Sequence, residues 1–199
     1  TAATGLVEDG ARVVGVNAEG PGGAFAIEAD VVVACDGRHS TIRAAAGMKP
    51  VDIGAPMDVM WFALPHHAGD QFATGGTFGA GAIFVMIDRG DVWQCGFVIG
   101  KGGDAQIRAE GLEAFRDRVA SLMPALRDRL DSVRSLDDVK LLTVGVDRLA
   151  TWHRPGLLMI GDAAHTMSPI GGVGINLAIQ DAVAAANILV PVLRSGAPS

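Results

Sequence analysis

Tyrosine is absent from this sequence, and cysteine occurs twice, at Cys35 and Cys95. The first absence excludes any tyrosine proton relay. The second leaves too little sulfur for a disulfide framework, and neither cysteine has a Cys or His at metal-ligand spacing, so no metal site is expected. Both lie in apolar, strand-like runs and are expected to be reduced core residues. Clusters of positive charge are missing as well: 16 Lys and Arg face 22 Asp and Glu, for a formal net charge of −6. That balance argues against nucleic acid or an anionic membrane as partner. The longest apolar region, near the C-terminus, is broken by Gln180, Asp181 and Asn187. With no cleavable signal at its start and no integral membrane segment, the chain is expected to be soluble and cytoplasmic. Finally, no Gly-x-Gly-x-x-Gly follows a first strand, and the chain opens in what reads as mid-domain material.

What is present is a globular composition, 49% hydrophobic and 19% charged over 199 residues, enough for a sizeable core in one or two domains. The best organised stretch runs from Leu157 to Leu189. A short apolar run, Leu157 to Ile160, meets Gly161-Asp162, and a loop with Gly171, Gly172 and Gly174 then opens a long apolar helix. A carboxylate at a strand tip can accept hydrogen bonds from polyol hydroxyls. Glycines let a ligand approach the backbone, and the free N–H groups of a helix start attract partial negative charge. The same order also fits a tight turn in which Asp162 is only a cap.

Near the start, residues 11–28 alternate apolar and polar positions around turn signals and read as a hairpin. The run Asp30 to Cys35, apolar on both faces, reads as a buried strand parallel to its neighbours. It ends in Asp36-Gly37-Arg38-His39-Ser40-Thr41, with Ser40 and Thr41 as caps for a helix from Ile42 to Ala46. Taken alone this is an ordinary N-cap. Paired with Gly161-Asp162 it is a second strand-end carboxylate, and open α/β sheets bind ligands at the carboxyl ends of their strands.

Residues 50–56 read as a linker. Four strand-length runs follow, Val59 to Leu64, Gln71 to Phe78, Ala82 to Asp88 and Val92 to Ile99, expected to form an antiparallel meander. Between Ala109 and Val133 apolar residues fall at helical spacing, with Pro124 starting a second helix, and Val139 to Val146 reads as a returning strand. The sheet would carry Trp61, Phe62, Phe72, Phe78, Phe84, Trp93 and Phe97, part core and part a surface for a flat organic molecule. His66 and His67 are expected on an exposed turn, and Pro191 should kink or end the last helix near Val190. The fold class is mixed α/β, with a first layer at 1–50 and 151–199 and an inserted sheet at 51–150.

With both strand-end motifs in view, the chain resembles the FAD-dependent monooxygenases of the para-hydroxybenzoate hydroxylase-like group, the class A aromatic hydroxylases. Asp36, Gly37, Ser40 and Arg43 match that family's Asp-Gly motif, and Gly161-Asp162-Ala163-Ala164-His165 with Pro169, Gly172, Gly174 and Asn176 matches its second flavin motif. The resemblance implies part of a Rossmann-like FAD-binding domain holding an inserted substrate domain. It implies that Asp162 binds the ribityl chain of FAD. Pro169 and the turn Gly171 to Asn176 would lie beside the isoalloxazine ring, with N–H groups of Gly174, Ile175 and Asn176 facing its pyrimidine oxygen. The family reaction would follow: NADH or NADPH reduces FAD, O2 gives a C4a-hydroperoxyflavin, and one oxygen passes to a small aromatic or similarly apolar substrate. No catalytic residue is singled out, and assembly state and nicotinamide preference stay open. Because the pyrophosphate loop is missing, a complete enzyme is expected to extend at both ends. A flavin-dependent reductase, dehydrogenase or halogenase of the same fold, and a catalytically silent fragment or binding module, fit the same motifs.

Overall fold

The structure is a computed structural model and describes residues 1–79 and 82–196. The chain divides into two compact units, one made of Thr1–Gly54 and the segment from Gly145 onward, the other of Ala55–Val144.

The first unit opens with strands β1 (Ala2–Asp9), β2 (Arg12–Gly20) and β3 (Gly23–Glu28), an antiparallel sheet in the order β1-β2-β3. The expected hairpin is β2 with β3; β1, with the sequence AATGLVED, adds a third strand that lacks the apolar alternation read over residues 11–28. Strand β4 (Val32–Ala34), helix α1 (Thr41–Ala45) and strand β5 (Val51–Asp52) follow, the last inside the expected linker.

In the second unit β6 (Met57–Pro65), β7 (Gly75–Gly79), β8 (Ala82–Asp88) and β9 (Val92–Gly100) precede helices α2 (Asp104–Glu110) and α3 (Leu112–Leu122), a 3-10 stretch Pro124–Ser132, and β10 (Lys140–Leu142). The sheet order is β10-β6-β9-β8-β7. The expected simple meander therefore holds only for β7, β8 and β9, because β6 pairs along its whole length with β9, from Met57 opposite Gly100 to Pro65 opposite Val92. Residues 71–74 are not strand, and Val144 is buried but outside β10. The helical stripe starts earlier than expected and is cut at Gly111, whose φ of 91° ends α2 and starts α3.

Side-chain parity sorts the aromatic residues of this sheet. Phe62, Phe84, Trp93 and Phe97 point to one face and pack with Phe115, Val119, Leu126 and Leu130 from the helical cover. Trp61 and Phe78 lie on the opposite face, and Trp61 stands across from Gly96, where an added Cβ would come within 2.9 Å of the indole. Phe72 lies outside the strands and packs against the core. Most of the expected aromatic surface is thus core.

The segment 66–74 is pinned by a buried charge pair. Asp70 accepts from Arg129 Nη1 at 2.6 Å and Nη2 at 2.5 Å, and from Trp93 Nε1 at 2.7 Å. His66 stacks on Trp93 at 4.9 Å between ring centroids, so it is half-buried and not the solvated turn residue expected; His67 is exposed. Burial of Cys95 pushes its thiol up to about 12, which keeps it inert.

The first unit then resumes with β11 (Asp147–Arg148), β12 (His153–Arg154), β13 (Leu157–Met159), β14 (His165–Thr166) and helix α4 (Gly174–Arg194). Two further three-stranded sheets form, β14-β11-β5 and β12-β13-β4. Gly156, at φ 75°, turns between β12 and β13 against β2, where an added Cβ would meet the Val13 carbonyl oxygen at 1.9 Å. Strand β4 is an edge strand, so the expected burial of both faces fails: Ala34 enters the core while Val33 is 38% exposed. Cys35, expected in the core, follows Val33 onto the exposed face. Pro191 does not end α4, which continues to Arg194; in the last turn the missing N–H forfeits a single helical bond. Helix α4 is long and apolar enough to cross a bilayer by length and composition alone.

The Arg129 guanidinium beside Asp70, with Trp93 and the His67 N–H, holds the Asp70 carboxyl well below the usual carboxylate range against the opposing effect of burial. A depressed carboxylate stabilises the fold above its unfolded pKa of about 4, and that contribution fades as pH falls below it. Asp70→Asn should therefore lower the melting temperature at neutral pH and flatten its fall below about pH 4. Thermal melts across pH check this, and an unchanged acid slope would contradict it.

Candidate functional site

Strand β4 runs parallel to β13, with Val32, Val33 and Ala34 opposite Leu157, Leu158 and Met159. The ladder continues one step beyond, since the Ile160 N–H donates to the Ala34 carbonyl at 3.0 Å. Parallel register brings the two carboxyl ends to one edge of the sheet, and with them the loops that start at Asp36 and Gly161.

The first loop is self-contained. Gly37 turns it at φ 84°, and its carbonyl accepts from the Ser40 N–H at 3.0 Å. Asp36 Oδ1 accepts from the Ser40 hydroxyl at 2.5 Å and Oδ2 from the Ile42 N–H at 3.1 Å. Ser40, buried at the N-cap of α1, accepts from the Arg43 N–H at 2.9 Å. Asp36 and Ser40 are thus engaged within the loop. Arg43 joins the loops: Nη1 donates to the carbonyls of Ala163 at 3.1 Å and Asp162 at 3.4 Å, and Nη2 to that of Arg38 at 2.6 Å. A planar fork with several donors suits that span, which a lysine could not cover.

The second loop divides its polar groups differently. The Asp162 carbonyl is held by Arg43, but its carboxylate is 45% exposed and forms an ion pair with Arg38 Nε at 4.0 Å. Gly161, at φ 57°, donates its N–H to Asp181 Oδ2 at 2.9 Å, and an added Cβ there would stand 3.3 Å from the Ala178 methyl. The same Asp181 oxygen lies 2.7 Å from His165 Nε2, whose ring packs on Trp152 at 4.9 Å.

Beyond it, Pro169 to Gly172 forms a turn closed by the Gly172 N–H on the Pro169 carbonyl at 3.0 Å. Gly171 and Gly172 have φ of 84° and 64°, and nothing lies within 4 Å of a Cβ built on either. Helix α4 begins after Val173 with no side-chain cap, and its first turn bond is Leu177 N–H to the Val173 carbonyl at 3.2 Å. Helix geometry leaves the N–H groups of Gly174, Ile175 and Asn176 without intrahelical acceptors. Ile170, Val173 and Ile175 beside them are 52%, 40% and 70% exposed.

The first unit therefore presents an exposed carboxylate suited to hydroxyls, and an uncapped helix start among glycines and apolar side chains suited to a flat, electron-accepting ring. That donor set fits FAD. Every residue expected at the site lies in this unit. His165 and Asp181 were not singled out as site residues; the available signal was a lone carboxylate in an otherwise apolar helix, seven residues after Gly174.

Arg43→Lys should cost about 1–3 kcal/mol of unfolding free energy, because one ammonium cannot satisfy three carbonyls on two loops. Chemical denaturation checks this, and an unchanged midpoint and slope would contradict it.

Three comparisons bear on the site. A family model described as "FAD binding domain" matches residues 1–199. The 6-methylpretetramide 4-monooxygenase of Streptomyces rimosus is 39% identical over 98% of this chain and 47% of its own length. The para-nitrophenol 4-monooxygenase of Pseudomonas sp. (strain WBC-3) is 27% identical over 92% of this chain and 45% of its own. The chain thus spans about half the length of these curated relatives. Among solved structures, the flavin-dependent halogenase CmlS superposes with a TM-score of 0.74 at 22% identity, covering 96% of this chain and 36% of that one, which shows a shared fold.

Proposed function

The chain belongs to the FAD binding domain family, and from that premise we propose that it is part of a FAD-dependent monooxygenase that hydroxylates a small aromatic or similarly apolar substrate. The observation that carries the reading is the pairing of two strand-end loops at one sheet edge, with the Asp162 carboxylate exposed and the start of α4 uncapped. The relatives named as monooxygenases of a pretetramide and a nitrophenol support the substrate class.

In this reading Asp162 accepts hydrogen bonds from the ribityl hydroxyls of FAD. Gly171 and Gly172 leave space for the ring, Pro169 shapes the turn beside it, and the N–H groups of Gly174, Ile175 and Asn176 face its acceptor edge and favour negative charge there. Gly161 sets the turn that presents Asp162. Asp36, Gly37, Ser40 and Arg43 build and brace the loop that stands next to it. Bound FAD would supply redox chemistry and oxygen activation, with NADH or NADPH as reductant. The second unit is assigned to the substrate, through the sheet face that bears Trp61 and Phe78.

The reaction type is tested with the complete enzyme and isotopically labelled O2, by following oxygen-dependent nicotinamide consumption and analysing product. Incorporation of one labelled oxygen atom is expected. Halide incorporation, or a product without labelled oxygen, would overturn the hydroxylase reading in favour of a halogenase or reductase.

The cofactor assignment is tested separately by Asp162→Ala, which should weaken FAD binding by about 1–3 kcal/mol through loss of hydrogen bonds to a charged group. Fluorescence titration of the apoenzyme measures it, and an unchanged affinity would count against the role given to Asp162.

A further inference from the structure

Helix α4 contains one acidic residue, Asp181, set among alanines, leucines, isoleucines and valines. Its side chain is 16% exposed. Withdrawing a carboxylate from water is costly unless its oxygens are occupied, and both contacts of Oδ2 lead to the Asp162 strand end: the Gly161 N–H at 2.9 Å and His165 Nε2 at 2.7 Å. The helix also approaches that strand end closely, because Gly161 has no Cβ to keep Ala178 away. Gly174, Ala178, Asp181 and Ala185 recur at helical spacing as the less exposed seam of α4, whereas Ile175, Ile179, Val183 and Ile188 on its other sides are 70%, 56%, 54% and 68% exposed.

We propose that Asp181 is a positioning residue that locks the start of α4 to the Asp162 strand end, so that the Asp162 carboxylate and the free N–H groups of Gly174 to Asn176 engage one FAD molecule; this rests on the FAD reading above. The helix is a rigid spacer of about 10 Å between Asp181 and the donor turn, seven residues at 1.5 Å each. Fixing Asp181 to Gly161 therefore fixes the distance from the donor turn to Asp162. The Asp162 residue is clamped from both sides, since Asp181 holds the preceding N–H while Arg43 holds the Asp162 carbonyl. Its carboxylate, 45% exposed and 4.0 Å from Arg38 Nε, stays open to the ligand. His165, packed on Trp152, takes the same Asp181 oxygen and holds the carboxylate in place.

A residue that acts through Asp162 differs from one that merely stabilises the fold in how its loss combines with loss of Asp162. The test is a double-mutant cycle in the complete enzyme, with the FAD dissociation constant of the apoenzyme read by flavin fluorescence for Asp181→Ala, Asp162→Ala and the double variant. Asp181→Ala alone should weaken FAD binding about tenfold or more, the range for a lost hydrogen bond to a charged group. In the Asp162→Ala background the same change should cost a clearly smaller factor. Equal factors in the two backgrounds, or no effect of Asp181→Ala, would overturn the proposal while leaving the FAD reading intact. If Asp162→Ala itself leaves FAD affinity unchanged, the cofactor assignment of Asp162 fails and this inference falls with it. Should Asp181→Ala not fold, Asp181→Leu takes its place in the cycle, since it keeps comparable bulk, has no hydrogen-bond acceptor for the Gly161 N–H, and lets the same outcomes decide.

Discussion

Three residues of parallel pairing, Val32–Ala34 against Leu157–Met159, carry the arrangement on which the candidate site depends. Parallel strands end at the same edge of a sheet, so two loops that are far apart in the chain become neighbours without any contact having to be made by the loops themselves. Arg43 then turns adjacency into a fixed geometry by donating to carbonyls on both loops. A ladder this short fixes little on its own, and the guanidinium supplies the rest. Arg43 thus holds the platform on which both strand-end loops stand.

Buried and exposed polar groups are divided with a consistent logic. Asp36, Ser40, Arg43 and Asp181 all have partners within the first unit, and each of those bonds shapes a loop or a helix start. The second unit repeats the pattern, with Asp70 and Arg129 paired under the segment 66–74 and Asp58 accepting from Lys101, Gly102 and Val144. Burial alone would raise the Asp58 carboxyl; those N–H and ammonium donors outweigh it and hold it below the usual carboxylate range. By contrast the Asp162 carboxylate, 4.0 Å from Arg38 Nε, is 45% exposed, and the first N–H groups of α4 have no side-chain cap. A preorganised frame with its free groups aimed at one ligand lets binding proceed without reordering the loops.

Much of this was legible in the sequence because glycine and apolar periodicity have local causes. The strand-to-loop transitions at Asp36 and Gly161 were readable from a short apolar run meeting Asp and Gly, and α1 was found within one residue of its place because Ser40 is a side-chain cap. Tertiary facts were less legible. That β6 pairs with β9 and not with β7 depends on long-range register, to which alternation is blind. Val33 and Cys35 read as buried because an apolar run does not reveal that its strand will sit at a sheet edge. Pro191 inside α4 shows a local rule giving way near a helix end, where only one bond is lost. Asp181 looked like an interruption of an apolar run, and its role appears only once Gly161 and His165 are placed against it.

In the proposed FAD reading, the Asp162 strand end and the start of α4 together receive the cofactor. Backbone hydrogen exchange of the complete enzyme with and without FAD tests it most directly, since amides without intrahelical acceptors exchange fast until a ligand takes them. FAD should slow exchange at Gly174, Ile175 and Asn176 together with Asp162 and its neighbours. FAD binding that protects other segments while these amides exchange at the same rate as in the apoenzyme would contradict it.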